Sequence, residues 1–403
     1  MLPDAFKEAV NIINTIESND YEAYFVGGCV RDVLLKKKIK DIDIATSAPP
    51  TIIQSIFDKV IPVGLAHGTV IVRHQGVSYE VTTFREEATY SDQRHPDEVT
   101  YILNLKEDLK RRDFTMNALA MNKDGELIDI TGGKLDIEKQ MIRSVGNAAD
   151  RFYEDPLRIV RALRFVSELG FSIETETFAQ MKRLNKEVKM VAVERLLNEF
   201  TKLFQGQFVE KALTYLKQVE IDSYIPVFCH NPHLLKKVKL PFTPFYSFGE
   251  VIVYFHHIDS RISISTWIKE WKCSNEIKNE AINLYEALLY YQEKGIDKWL
   301  VYRLKQKHFQ SFIHLVHQIH QIHQNVTLHK HELNRLKKML PIQSKNDLAV
   351  NGHDVMEMFP NKKRGPWISN LLENIEKAVV LQNIDNNKKA IKEWIQCHPP
   401  EVN

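Results

Sequence analysis

The feature that most constrains the fold is a short stretch near the N-terminus, where strand, glycine turn, helix and second strand follow in close order. The predicted elements are Tyr24 to Val26, Gly27-Gly28, Val30 to Leu35 and Lys40 to Ala45. Side chains alternate along a strand, so Asp41 and Asp43 are expected on one face, with Ile42 and Ile44 on the opposite, buried face. The pattern predicts an α/β sheet domain with two neighbouring carboxylates.

Two carboxylates on one strand face repel each other, and burying them without compensation costs several kcal/mol. Mg²⁺ resolves the conflict, because a hard divalent cation takes carboxylate oxygens and keeps positions open for phosphates. We therefore predict that Asp41 and Asp43 are catalytic residues and metal ligands. Glu80, in a neighbouring predicted strand, is either a third catalytic carboxylate of a two-metal arrangement or an exposed strand glutamate.

The glycine turn is typical of a phosphate cradle. Gly27 and Gly28 let the backbone approach a ligand closely and present amide donors at the start of the next helix. Arg31 can add a charge-assisted bond to a phosphate. Gly-Gly by itself would equally be a plain turn, with Arg31 and Asp32 as a surface pair, and the nearby carboxylates favour the functional interpretation.

A second motif lies in a helix predicted from Leu105 to Met121, at Lys110-Arg111-Arg112-Asp113-Phe114-Thr115-Met116-Asn117. Phe114 is expected to face the core. Arg112 can meet a phosphate, while Asp113 and Asn117 can orient a sugar hydroxyl or a neighbouring arginine. Taken alone, this would be an ordinary capped helix.

A third motif begins at Glu154-Asp155-Pro156, where an aspartate N-cap and a first-turn proline predict the start of a helix. Arg158, Arg161 and Arg164 follow along one side, opposite the apolar side. We identify no acidic partners for them at helical spacing. An anionic ligand is therefore expected to supply the counter-charge.

The spacing of Asp155 and Arg158 suggests a reader of nucleotide bases. Cytosine and adenine both present an exocyclic amine beside a ring-nitrogen acceptor, whereas uracil and guanine present the reverse arrangement. An aspartate accepting from the amine and an arginine donating to the ring nitrogen would admit CTP and ATP and reject UTP and GTP. Protein side chains alone could then select the base.

Length and composition set the frame for these motifs. At 403 residues the chain is expected to hold two or more domains, and its 44% hydrophobic and 26% charged residues are typical of a globular protein. The net charge of +2 means that a nucleic-acid partner must be held by local basic patches. Four scattered cysteines, without a signal peptide or a long apolar window, predict a cytoplasmic protein without membrane contact.

The rest of the chain divides into a sheet region and a helical region. Further strands are predicted at Val60 to Val63, Thr69 to Arg73 and Ser78 to Thr83. The polar segment 86–98 is predicted as a mobile loop. Helical periodicity dominates after Glu154, which places a boundary near residues 143–150.

Taken together, the motifs resemble those of bacterial class II tRNA nucleotidyltransferases, the CCA-adding family, which shares a superfamily with bacterial poly(A) polymerases. The resemblance rests on GGCVRDVLL, DIDIAT, RRDFTMNALA and EDPLRIVRALRF, spanning about residues 25–170, and on the helix Val193-Glu194-Arg195-Leu196-Leu197-Asn198-Glu199. Each motif alone is weak, whereas the joint match is specific. It implies stepwise addition of C, C and A to the tRNA 3′ end without a nucleic-acid template. The alternatives are a poly(A) polymerase and a catalytically silent RNA-binding module.

The resemblance assigns roles to individual residues. Asp41 and Asp43 would hold Mg²⁺, and Asp155 and Arg158 would act as the protein template for the base. The remaining nucleotide-binding positions would be Gly28, Arg31, Arg112, Asp113, Asn117, Arg161 and Arg164.

The resemblance also implies an organisation and partners. The fold class would be an α/β nucleotidyltransferase head, a mixed sheet with helices, followed by an all-α neck, body and tail in an elongated, seahorse-like chain. The parts would be a catalytic head at 1–145, a neck with the base template at 146–205, a body at 206–283 and a tRNA-binding tail at 284–403. The loop at 86–98 would correspond to the flexible loop that complete CCA addition requires. Partners would be tRNA, CTP and ATP, and any assembly is expected to be a homodimer.

The C-terminal region offers a candidate RNA contact. Lys362, Lys363 and Arg364 lie close to Trp367, and Lys236-Lys237-Val238-Lys239 forms a second basic run. Lysine runs are usually solvated surface. With a tRNA substrate they become candidate phosphate contacts that measure the acceptor arm by shape, and the run before Trp367 is the stronger candidate.

Overall fold

The computed structural model describes residues 2–87, 99–320 and 326–400. The chain forms two compact units, Met1–Pro244 and Phe245–Asn403. The predicted loop at 86–98 lies outside the described residues except for its first two positions, which belong to a strand.

The first unit contains a mixed sheet, and in the described part of the chain its strand order is β3-β4-β5-β2-β1-β8-β9. These strands are β1 (Ala23–Val26), β2 (Asp43–Thr46), β3 (Val60–Gly64), β4 (Thr69–His74), β5 (Val77–Thr83), β8 (Leu119–Met121) and β9 (Leu127–Asp129). Two short pairs lie apart from it: β6 (Arg85–Glu87) with β7 (Val99–Tyr101), and β10 (Met141–Ile142) with β11 (Ser172–Ile173). The predicted fold class, an α/β head followed by helices, is confirmed.

The helices of the first unit pack around this sheet and continue beyond it. They are α1 (Lys7–Glu17), α2 (Gly28–Leu34), α3 (Pro50–Ile56), α4 (Leu105–Lys110), α5 (Gly133–Glu138), α6 (Ala148–Glu154), α7 (Leu157–Leu169), α8 (Thr175–Arg183), α9 (Val193–Gln205), α10 (Val209–Val219) and α11 (His233–Lys236). Val26, Ala45, Phe84, Leu105, Leu109 and Ala120 form one buried cluster. This cluster fixes α4 against the sheet.

The predicted continuous helix from Leu105 to Met121 is wrong. The α-helix ends at Lys110, Thr115–Asn117 form one 3₁₀ turn, and β8 follows. Backbone bonds to a distant segment account for the break, since the Thr115 N–H donates to the Arg143 carbonyl at 2.9 Å and the Val145 N–H to that of Asp113 at 3.1 Å. Tertiary pairing therefore outweighs local helix propensity here.

Helices α7 and α9 approach each other closely near their C-terminal ends. Ser167 Oγ donates to the Leu203 carbonyl at 2.5 Å. A Cβ at Gly206 would come within 2.2 Å of that hydroxyl oxygen and 2.5 Å of the Ser167 carbonyl carbon. Glycine is therefore required sterically at this crossing, which holds the arginine side of α7 against α9.

The second unit is helical in its described residues. It contains α12 (Phe248–Ile258), α13 (Ile264–Glu270), α14 (Asn275–Lys294), α15 (Lys298–Arg303), α16 (Phe309–His320), α17 (Val326–Lys338), α18 (Gly352–Met358), α19 (Trp367–Val380) and α20 (Lys388–Cys397). Trp267 and Trp271 are fully buried. Among the described helices of the whole chain, none is both long and apolar enough to cross a bilayer.

Candidate nucleotide-binding site

A cleft of about 560 Å³ in the first unit brings the sequence motifs together. It is lined by Gly27, Gly28, Arg31, Asp43, His67, Arg85, Arg111, Arg112, Asp113, Asn117, Asp155, Leu157, Arg158, Arg161, Arg164, Phe165 and Arg195. Eight of these described residues are arginines and three are aspartates. The cleft therefore presents guanidinium donors to an anion across most of its wall.

The glycine turn forms one edge of the cleft. Gly27 lies at φ 73° and ψ −130°, a backbone conformation that favours glycine. A Cβ at this position would lie 3.1 Å from Arg112 Nη1 and 4.0 Å from Asp43 Oδ2. The turn, the Arg112 guanidinium and the Asp43 carboxylate thus meet at one point of the cleft wall.

The surroundings of the Asp43 carboxylate favour a bound cation. It pairs in parallel register with Glu80 across β2 and β5. Burial, followed by the charge of Glu80 and with a smaller contribution from Asp41, raises the pKa of Asp43 to about 6, and Arg112 only partly offsets this. A divalent cation would relieve the repulsion and favour the ionised carboxylate, so this donor set fits a hard metal ion.

Asp41 and Glu80 lie differently from Asp43. The strand begins at Asp43, not at Lys40 as predicted, so Asp41 precedes β2 and its side chain is exposed. Glu80 is also exposed, although its backbone is opposite Asp43, and neither residue is among those that line the cleft. The metal and catalytic roles of both residues stay predictions.

A chain of polar contacts joins the glycine-turn helix to the 3₁₀ turn. Arg31 Nη1 donates to Asn117 Oδ1 at 2.7 Å, and Asn117 Nδ2 donates to Asp113 Oδ1 at 3.2 Å. Arg31 also contacts Asp32, at 2.8 Å, but only 8% of Arg31 is exposed, so the alternative of a surface pair is wrong. These contacts hold Arg31 at the cleft wall.

The same series of contacts continues into helices α7 and α9. Arg161 Nη2 donates to Asp113 Oδ2 at 2.6 Å, and Arg164 Nε donates to Glu199 Oε2 at 2.5 Å. Burial alone would raise the pKa of Asp113, but the charge and hydrogen bonds of Arg161, together with the Asn117 bond, lower it to about 2. The carboxylate is therefore ionised throughout the neutral range.

The prediction that the arginine row lacks acidic partners at helical spacing is wrong. Glu154 accepts from Arg158 at 3.0 Å and Glu168 accepts from Arg164 at 2.8 Å, each four residues away. Arg161 pairs with Asp113, from outside its own helix. The three arginines therefore do not need a ligand as their only counter-charge.

The two predicted base-reading residues are held from several sides. Asp155 Oδ2 accepts from Arg195 Nη2 at 2.7 Å, and its Oδ1 accepts from the Leu157 N–H at 3.1 Å. Arg158 Nη2 donates to the Arg111 carbonyl at 3.2 Å and Nη1 to the Arg151 carbonyl at 3.3 Å. Both side chains line the cleft in fixed positions.

Among the described residues, two buried donors of the cleft wall have no hydrogen-bond partner. They are Arg112 Nε and Arg195 Nη1, and both residues line the cleft wall. A buried unsatisfied donor costs about 1–3 kcal/mol, more when it is charged. The cleft wall therefore carries two buried guanidinium nitrogens whose hydrogen bonds are not made within the described residues.

Sequence reasoning missed six lining residues: His67, Arg85, Arg111, Leu157, Phe165 and Arg195. Phe165 is surrounded by cations, with the Arg164 guanidinium 3.9 Å and the Arg31 guanidinium 5.4 Å from its ring centroid. Arg195 and Arg111 lie within two of the motifs that carry the family resemblance, and this position could have identified them as site residues. His67 and Arg85 lie in segments without a motif.

The predicted RNA-binding residues lie in the second unit. A cavity of about 1160 Å³ there is lined by a set that includes Lys362, Lys363, Arg364 and Trp367. The Lys362 ammonium lies 5.1 Å from the Trp367 ring centroid, and Trp367 Nε1 donates to the Lys363 carbonyl at 2.8 Å. The basic and aromatic groups are thus adjacent in space.

Comparison with known proteins identifies the class and then the family. The model of the Poly A polymerase head domain matches residues 23–143, that of a probable RNA- and SrmB-binding site of polymerase A matches 170–229, and that of a putative tRNA nucleotidyltransferase domain 2 matches 251–395. The fold and the site are therefore those of a nucleotidyltransferase.

Full-length relatives narrow this class. The chain is 48% identical to the CCA-adding enzyme of Oceanobacillus iheyensis, with 100% of both chains covered, and 40% identical to that of Anoxybacillus flavithermus, with 99% of each covered. The crystal structure of the Bacillus stearothermophilus CCA-adding enzyme in complex with CTP matches with a TM-score of 0.87 at 36% identity, covering 98% of both chains. The chain belongs to the CCA-adding enzyme family.

The acid dependence of stability tests the Asp113–Arg161 pair. A pKa lowered from 3.8 to about 2 means that the stabilisation is complete above pH 3.8 and is lost as the pH falls toward 2. Asp113→Asn should therefore lower the free energy of unfolding by about 2 kcal/mol at pH 7, and the difference from the unsubstituted protein should shrink toward pH 2. Urea unfolding at several pH values measures this. Asp124→Asn, at an exposed turn, is the control, and a difference independent of pH would contradict the assignment.

Proposed function

We propose that this chain adds C, C and A in turn to the 3′ end of tRNA, using CTP and ATP at one site and no nucleic-acid template. The observation that supports this most is the single cleft in which the glycine turn, Asp43, Arg112, Asp155 and Arg158 meet. The triphosphate, the sugar and the base of one nucleotide can therefore be bound in this one cleft. CCA-adding relatives that match over the full chain support the same activity.

The triphosphate would lie at the glycine turn. Gly28, at the start of α2, and Arg112 both line the cleft there. Asp41 and Asp43 would hold Mg²⁺, which when bound lowers the pKa of a hydroxyl and neutralises phosphate charge. The chain's own part is to position the α-phosphate in line with the RNA 3′-hydroxyl, so that pyrophosphate leaves without a covalent enzyme intermediate.

Base choice would depend on Asp155 and Arg158. Asp155 would accept from the exocyclic amine of cytosine or adenine, and Arg158 would donate to the neighbouring ring nitrogen. Uracil and guanine would place an acceptor opposite the Asp155 carboxylate and a donor opposite the Arg158 guanidinium. The unpaired groups would make binding of these bases less favourable. Arg195 fixes the Asp155 carboxylate, and Glu154 and the Arg111 carbonyl fix the Arg158 guanidinium.

Further parts of the proposal concern the whole molecule. Lys362, Lys363, Arg364 and Trp367 would contact tRNA phosphates through charge and shape. The head, neck, body and tail would divide at residues 145, 205 and 283. The chain would act in the cytoplasm.

One experiment separates the candidate functions. A tRNA ending before CCA is incubated with Mg²⁺ and each nucleotide, alone and combined, and the additions are counted on a sequencing gel. Three residues in the order C, C, A support the proposal. Runs of A on many RNAs would instead indicate a poly(A) polymerase, and binding without addition would indicate a silent RNA-binding module.

Asp43→Ala should abolish nucleotide incorporation while leaving tRNA binding within about twofold. Removing a preorganised electrostatic group at the reacting centre costs on the order of a thousandfold in rate, and a metal ligand is expected to cost at least as much. Incorporation and filter binding are measured on the same preparations, with Asp124→Ala as the control. Retained turnover by Asp43→Ala would refute the metal assignment.

Arg158→Lys should weaken base choice before it weakens folding. Lysine keeps the charge but loses the planar fork that donates to the ring nitrogen. The ratio of kcat/KM for CTP over UTP should fall about tenfold, the value of one charge-assisted hydrogen bond. Arg183→Lys, on the exposed side of α8, is the control, and undiminished rejection of UTP would count against the template.

A further inference from the structure

Asp108 is a buried carboxylate immediately behind the cleft wall. It lies on α4, whose Leu105 and Leu109 are anchored in the core, and only 1% of the residue is exposed. It does not line the cleft itself. Burying a charge costs free energy unless the charge is fully paired, so the contacts of Asp108 indicate its role.

The two oxygens of Asp108 bind three residues in two segments. Oδ1 accepts from Arg111 Nη2 at 2.6 Å and Nε at 3.0 Å, and Oδ2 accepts from Arg112 Nη2 at 3.0 Å. Oδ1 also accepts from the Arg85 N–H at 3.4 Å, at the first residue of β6. One carboxylate therefore holds two adjacent arginines of the cleft and the first strand of the β6–β7 pair.

The contact with Arg112 sets the phosphate end of the cleft. Asp108 binds one terminal nitrogen of Arg112, while the other terminal nitrogen lies against Gly27. The Nε of the same guanidinium is the buried donor without a partner. The carboxylate thus fixes the plane in which Arg112 presents its remaining donor.

The contact with Arg111 connects Asp108 to the part of the cleft where Arg158 lies. Asp108 binds the Arg111 side chain by a two-nitrogen fork, and the Arg111 carbonyl accepts from Arg158 Nη2 at 3.2 Å. Both nitrogens donate to the same oxygen, Oδ1, and these two charge-assisted bonds restrict rotation of the guanidinium. The backbone carbonyl that orients Arg158 is therefore held in place through the side chain of its own residue.

We propose that Asp108 is a positioning residue for nucleotide transfer, which sets Arg112 for the triphosphate and, through the Arg111 carbonyl, sets Arg158 for base selection. The inference rests on the proposed function of Arg112 and Arg158. Asp108 acts through these arginines from outside the cleft lining, and it links both to the strand that begins at Arg85. Loss of its charge would leave the adjacent Arg111 and Arg112 cations without their shared anion.

The test is Asp108→Asn in the full chain, with steady-state incorporation into tRNA. Loss of a positioning contact typically costs ten- to a hundredfold, so KM for CTP and for ATP should rise about tenfold and the CTP over UTP ratio of kcat/KM should fall about tenfold. Asp136→Asn is the matched control, because Asp136 is also buried and pairs with Arg143 and Thr115 outside the cleft lining. It should lose stability without changing the CTP over UTP ratio. Equal effects of the two substitutions on this ratio would overturn the proposal.

A double-substitution cycle separates positioning from general loosening. In an Arg158→Lys background, Asp108→Asn should have no further effect on the CTP over UTP ratio, because both changes act through one guanidinium. Additive effects would refute the route through Arg158. If Arg158→Lys itself leaves the ratio unchanged, the proposed template fails, and that outcome is distinct from a failure confined to Asp108.

Arg111→Lys provides a second route if Asp108→Asn does not fold. Lysine retains the charge beside Asp108 but cannot form the two-nitrogen fork, while the backbone carbonyl stays present. The CTP over UTP ratio should fall in the same direction, with KM for CTP changed less than by Asp108→Asn because Arg112 keeps its partner. An unchanged ratio in a folded Arg111→Lys protein would overturn the proposal.

Discussion

The nucleotide cleft depends on guanidinium–carboxylate pairs that join residues far apart in the chain. The contacts run from Arg31 through Asn117 and Asp113 to Arg161. Arg161 Nη1 then lies 3.5 Å from Glu199 Oε1. They connect the helix after the glycine turn with the 3₁₀ turn and with helices α7 and α9. Because each charge is partly or fully buried, removing one partner leaves the other without compensation. These contacts hold the side chains of the cleft wall in place, as electrostatic stabilisation of a transferring phosphate would require.

Rigidity and ligand attraction come from different atoms of the same side chains. Arg112 uses one terminal nitrogen for Asp108, and Arg195 uses one for Asp155. Each retains a buried nitrogen that has no partner in the described structure. Asp108, behind the wall, and Asp155, in the wall, position these arginines. Pairing with these carboxylates explains how several arginines can lie side by side in the lining of one cleft.

The sequence allowed the fold class and the positions of most sheet strands to be predicted, because the Gly-Gly turn and alternating residues are local signals. The helix across residues 105–121 failed for a long-range reason, namely the backbone pairing of Thr115 and Val145 with partners outside the predicted helix. Ion pairs four residues apart, such as Arg158 with Glu154, were open to prediction and were missed. The Asp155–Arg195 contact spans 40 residues, so only the fold reveals it. The same holds for Asp108, which the motifs did not single out as a functional residue.

The central claim is that one cleft, built by these pairs, serves both nucleotides. Equilibrium binding of CTP and ATP to the full chain with Mg²⁺ and without tRNA tests it most directly. The account predicts one site per chain for each nucleotide, full mutual competition, and joint weakening of both by Arg112→Ala. Simultaneous binding of CTP and ATP to one chain, or loss of one nucleotide with the other unaffected, would contradict it.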